Sequence, residues 1–108
     1  MSSRRATDLA HMFAERLRSR FGERVSWVRL YGSQARGEAT EHSDLDVLAV
    51  VRGLTWREKV EAMDLAYDVS LSGGLQVSPV VMAEADFERL LALESSFALN
   101  VLRDGIGA

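Results

Sequence analysis

The chain has no cysteine among its 108 residues, which removes disulfide frameworks and thiolate zinc sites together. Its two histidines, His11 and His42, are too few to build a zinc site without thiolates. Lys59 is the lone lysine among thirteen basic residues, and against sixteen acidic ones the net charge is −3. A surplus of positive charge is thus missing as well, which speaks against a general binder of nucleic acid or anionic membranes. No apolar run approaches the ~20 residues needed to span a bilayer. The opening "MSSRRATDLAHMF" lacks the apolar stretch of a signal peptide, so a cytoplasmic location is expected.

What is present is an ordinary globular composition, 47% apolar, in a length suited to one core; we expect a single domain over residues 1–108. Six arginines fall within residues 1–24. They read as the solvated face of a helix, with a phosphate-binding patch as the alternative.

Periodicity supplies the elements. Leu9, Met12, Phe13, Leu17 and Phe21 recur at three- and four-residue steps, predicting an amphipathic helix over 5–21 that Gly22 ends. "VSWVRLY" (25–31) and "LDVLAVV" (45–51) read as strands, the second apolar enough to be central. Thr55 and Glu58 have capping-box spacing, so a helix should start at Trp56 with Val60, Met63, Tyr67 and Leu71 on its core face. "SGG" (72–74) closes it, and "LQVSPVVM" (75–82) follows as a strand that Pro79 assigns to an edge. From Glu84 a helix carries Phe87, Leu90 and Leu91, and Ser95 or Ser96 caps a last one through Leu102. Trp27 and Trp56 are expected in or beside the core. Because the first two strands lack a helix between them, the fold class is α+β: a small mixed or antiparallel sheet of three to four strands, flanked by helices.

Chemistry concentrates in "YGSQARGEATEHSDLD" (31–46). Residues two apart on a strand share a face, so Asp44 and Asp46 present two carboxylates together. At the mouth of an apolar strand they repel each other and need compensation, which a hard divalent cation such as Mg²⁺ supplies through oxygen ligands. The alternative is that Asp44 caps the turn and Asp46 faces water. Gly32 allows close approach of a ligand to the backbone, and Ser33 offers an amide and a hydroxyl suited to phosphate; by itself a Gly-Ser pair is also an ordinary turn. Arg36 is either a phosphate fork or the partner of Glu38 or Glu41. His42 lies beside the aspartates and reads as an inert loop histidine, with nucleotide contact as the alternative.

The whole of "GSQARGEATEHSDLDVLAV" resembles the signature of the minimal nucleotidyltransferases of the DNA polymerase β superfamily, in which Gly-Ser is followed by Asp-x-Asp. Gly32, Ser33, Ala35, Arg36, Gly37, Ser43, Asp44 and Asp46 fall where that pattern wants them. The resemblance implies an enzyme that binds ATP on Mg²⁺ and transfers a nucleotidyl group with loss of pyrophosphate. Gly32 and Ser33 would hold phosphates, with Arg36 beside them, and Asp44 and Asp46 would ligate metal. It also implies a partner: small members resemble antitoxins that add AMP to a HEPN-type ribonuclease toxin.

One element of the pattern is missing. The superfamily usually has a third carboxylate on a later strand, but "LQVSPVVM" offers Gln76 and Ser78 there, and serine is no general base at neutral pH. Asp68 and Glu84 are the nearest acids in sequence. Two functions therefore compete: a transferase that modifies a protein, and an inactive module of the same fold that neutralises a toxin by binding it. The Leu90, Leu91, Phe97 and Leu102 region is expected to be core, with a partner surface as the second reading.

Overall fold

A computed structural model of the chain describes residues 4–37 and 44–108. Its frame is a four-stranded mixed sheet: β1 (Val25–Tyr31), β2 (Leu45–Val51), β3 (Val77–Ala83) and β4 (Ile106–Gly107), in spatial order β3-β2-β1-β4. β1 runs antiparallel to both β2 and β4, and β2 is parallel to β3. The central place of β2 follows from its composition, since all but Asp46 of its seven residues are buried. Val25 and Val28 are both buried although three apart; an irregularity in register between Val25 and Trp27 resets the alternation. β3 lies at the edge, as Pro79 demands of a strand that cannot donate at every position.

One face of the sheet is covered by α1 (Arg4–Phe21) and α3 (Trp56–Gly73). Phe13, Ala14 and Leu17 of α1 are fully buried against Val28, Leu30, Leu45, Val47 and Ala49. The capping box that starts α3 is complete: the Thr55 hydroxyl accepts the Glu58 amide, and the Glu58 carboxylate accepts the Thr55 amide. The same carboxylate is gripped by both terminal nitrogens of Arg24 at 2.7 Å, which ties the turn before β1 to the start of α3. This fork holds Glu58 down to a pKa of about 2, helped by the Thr55 amide.

The other face carries α4 (Glu84–Ala92) and α5 (Ser96–Asp104), the latter capped by Ser95 as expected. Leu48 and Val50 meet Phe87, Ala98 and Val101 there, and Trp27 packs edge-on against Phe87 at 4.9 Å. Leu90, Leu91 and Phe97 pack against this cluster, in agreement with the core reading, while Leu102 remains exposed.

Two expectations are corrected. The core face of α3 is Ala62, Ala66 and Val69, and Val60, Met63, Tyr67 and Leu71 stand in solvent. The cause is the close packing of α1 on α3, which admits only small side chains: a Cβ on Gly73 would lie 2.2 Å from Leu9. Trp56, at the start of the same helix, is 76% exposed rather than in or beside the core. β4 was not foreseen; two residues with no strand pattern pair with Arg29 and Leu30 of β1.

Candidate functional site

β1 ends at Tyr31, and the chain turns sharply through Gly32 into the short helix α2 (Ser33–Arg36). Gly32 has φ +73°, and a Cβ there would lie 2.5 Å from the Asp46 carboxylate. Only glycine meets both demands, and its use lets the turn close directly against that carboxylate. Gly37, at φ +74°, ends α2 in the left-handed region. The first-turn amides of a helix have no carbonyl partner within it, so the start of α2 presents N–H groups beside Asp46.

Asp46 is set by register. It lies opposite Tyr31 on β1 and Ser78 on β3, in the row between the two neighbours. Asp44, one step outside the strand, is exposed and accepts a hydrogen bond from the Ser78 hydroxyl at 3.2 Å. The two carboxylates feel each other: burial pushes the Asp46 carboxyl above the usual range, Asp44 adds to this, and the Arg36 guanidinium opposes it. Burial, with the Asp46 charge behind it, also raises the Tyr31 phenol. Two repelling carboxylates with their oxygens on one side are a hard donor set. Among the described residues no group of three or more His, Asp or Glu side chains could hold a metal. Two carboxylates fit a divalent cation that keeps waters and takes further oxygens from a ligand, as Mg²⁺ does.

Next to Gly32 opens a recess of about 200 Å³ between β1 and α5, lined by Tyr31, Arg36, Phe97, Asn100 and Asp104. Tyr31 and Phe97 meet edge-on at 5.5 Å and form its aromatic wall. Arg36 is placed so that its charge acts on both Asp46 and Asp104, lowering the latter after the larger effect of Arg103.

The candidate residues Gly32, Ser33, Arg36, Asp44 and Asp46 thus come together at one end of the sheet. The acids considered as substitutes for the missing one do not join them. Asp68 is on α3, across the sheet, and Glu84 follows the far end of β3, where the Ser26 hydroxyl donates to it. On β3 the residue opposite Asp46 is Ser78, which is not acidic. Glu38, Glu41, His42 and Ser43 lie outside the described residues, and His11 is exposed on α1. The sequence assigns none of Tyr31, Phe97, Asn100 and Asp104 to the site, and from it Phe97 is expected only as core. The one available signal was Tyr31 immediately before the Gly-Ser turn.

A family model for the nucleotidyltransferase domain matches residues 11–100. The chain belongs to the nucleotidyltransferase domain family. The expectation drawn from Gly-Ser and Asp-x-Asp is borne out at that level. The sequence is 34% identical over 93 residues to a Methanocaldococcus jannaschii protein named for protein adenylyltransferase activity, across 86% of this chain and 87% of that one. The fold is shared with a crystal structure from Sulfolobus solfataricus assigned as a nucleotidyltransferase, at TM-score 0.56 and 23% identity, over 98% of this chain and 87% of that one. It is also shared with a chain of a toxin-antitoxin crystal structure containing AMP-PNP, at TM-score 0.58 and 18% identity, over 88% of this chain and 68% of that one. At such identities the two structures speak for the fold.

Proposed function

We propose that this nucleotidyltransferase transfers AMP from ATP to a hydroxyl of a partner protein, and that the partner is a HEPN-type ribonuclease toxin that the modification silences. The observation that carries the reading is the contact between Gly32 and Asp46: a turn built without a Cβ lays the start of α2 against a carboxylate that shares its side of the sheet with Asp44. The relative named for protein adenylyltransferase activity supports a protein acceptor, and the toxin-antitoxin neighbour supports a toxin.

In this reading Asp44 and Asp46 would hold Mg²⁺, and the ion would supply charge stabilisation to the phosphate oxygens and the departing pyrophosphate. Gly32 and Ser33 receive the terminal phosphates through the backbone, and Arg36 adds its charge beside them. The recess at Tyr31 and Phe97 takes the nucleoside against an aromatic wall, within reach of the Asn100 amide. The acceptor oxygen bonds to the α-phosphorus as the bond to pyrophosphate breaks, and the hydroxyl proton leaves to solvent. Ser78 holds Asp44 by its hydroxyl and takes no proton.

Ser78 also favours the second reading, a module that neutralises the toxin by binding alone, because a carboxylate base is absent from β3. The test is transfer of label from α-labelled ATP, with Mg²⁺, to the protein encoded beside this one. Label that appears with the wild type and vanishes with Asp44→Asn/Asp46→Asn supports the transferase. A stable complex without label favours the binding module.

A further inference from the structure

The large apolar side chains that the core leaves out of α3 form one stripe. Trp56, Val60, Met63, Tyr67 and Leu71 recur at three- and four-residue steps, which stacks them along one side of a helix. Tyr67 and Leu71 are 63% and 68% exposed. The C-terminal half of the stripe continues into a groove of about 500 Å³ between α3 and the outer edge of β3, with Leu75, Val77 and Pro79 along its other side. Contiguous exposed apolar surface on a small protein marks a place of interaction.

Charge narrows the occupant. Asp64 and Asp68 lie one turn apart along the flank of the stripe, both exposed. The basic residues of α3, Arg57 and Lys59, both lie in its first turn, and the C-terminal half that lines the groove carries no positive charge. An anionic membrane would be repelled by that flank, whereas a basic helix would be drawn to it. The groove also reaches the end of β3 at which the carboxylates lie. Gln76 lines it and accepts the Leu45 amide at 2.8 Å, and Ser78, two residues on, holds Asp44.

We propose that the stripe and groove of α3 receive an amphipathic helix of the acceptor protein. That helix carries apolar residues at three- and four-residue spacing, with Lys or Arg on the side that meets Asp64 and Asp68. Docked there, the partner chain needs only to pass over the end of β3 to bring a hydroxyl to Asp44 and Asp46. The inference rests on the reading that a partner protein is the acceptor, and it names the surface by which this domain selects that protein.

The probe is the protein encoded beside this one, titrated against the full chain by calorimetry without ATP, at low and at high salt. Tyr67→Ser/Leu71→Ser is expected to weaken association by about tenfold or more, with melting temperature and Mg-ATP binding unchanged because both side chains are exposed. Asp64→Lys/Asp68→Lys should weaken it several-fold at low salt, and the deficit should shrink at high salt. Wild-type affinity in Tyr67→Ser/Leu71→Ser, or no association with the wild type, overturns the proposal. Self-association of the wild type that this variant abolishes assigns the stripe to a second copy and overturns it as well. Since association is read without nucleotide, a failure of Mg-ATP binding in the wild type strikes the enzymatic reading alone.

Discussion

The two faces of the sheet are built to different standards of closure. Under α1 and α3, small residues let helices approach until there is no room for a methyl group beside Gly73, and the strands beneath are dry. Under α4 and α5 the buried cluster among the described residues is the smaller set Leu48, Val50, Phe87, Ala98 and Val101, and one end stays open as the recess beside Gly32. Asp46 shows the contrast within one strand. Its neighbours Leu45 and Val47 point into the packed face and lose all solvent, while Asp46 points to the open face and keeps a carboxylate at an energetic disadvantage. The lesson is that the closed face supplies stability that offsets the cost of a half-buried carboxylate on the open face.

The comparison can be broken most sharply on the closed face. Phe13→Ala should cost about 3–5 kcal/mol, read as a shift of the urea midpoint, because a fully buried aromatic leaves a cavity that tight neighbours cannot fill. Asp46→Asn should do the reverse: label transfer falls by at least about a hundredfold, while the metal-free protein melts at a higher temperature because a carboxylate raised by burial and repulsion is gone. A lower melting temperature in that variant would show that Asp46 serves the fold.

Gly32→Ala combines both effects at intermediate size. The new methyl meets the Asp46 carboxylate and the φ is unfavourable, so we expect about 1–2 kcal/mol of destabilisation and a clear loss of Mg-ATP affinity. Unchanged affinity would remove the turn from the site. The smallest effect belongs to the Arg24–Glu58 fork. Glu58 has a depressed folded pKa of about 2 against an ordinary value of 4.5. Its contribution is therefore complete above about 4.5 and disappears as pH falls towards 2. Melting temperatures measured down that window should fall for the wild type, and Glu58→Gln should flatten that part of the slope.

Much of this arrangement was legible in the sequence, and the failures have physical causes. The capping box Thr55/Glu58, the edge strand marked by Pro79 and the pairing of β1 with β2 were readable because each is dictated by local chemistry or by a short connection. The closeness of Asp44 to Asp46 was readable because alternate residues of an extended segment share a side, even with Asp44 one step before β2. α3 misled because it has two stripes at the same period. Periodicity cannot choose between Ala62, Ala66, Val69 and the larger Met63, Tyr67, Leu71; the closeness of α1 chooses, and that is a tertiary fact. The recess was hidden for the same reason, since Phe97, Asn100 and Asp104 reach Tyr31 only when α5 folds back onto β1. β4 has no pattern of its own, and it exists because Arg29 and Leu30 offer an unpaired edge.

The central claim is that Asp44 and Asp46 bind a nucleoside triphosphate by way of a divalent metal. The most direct measurement is calorimetric titration of a non-hydrolysable ATP analogue into the wild type and Asp46→Asn, each with Mg²⁺ and with the metal chelated. The account predicts binding to the wild type that requires Mg²⁺ and is lost in Asp46→Asn. Equal binding under all four conditions would contradict it.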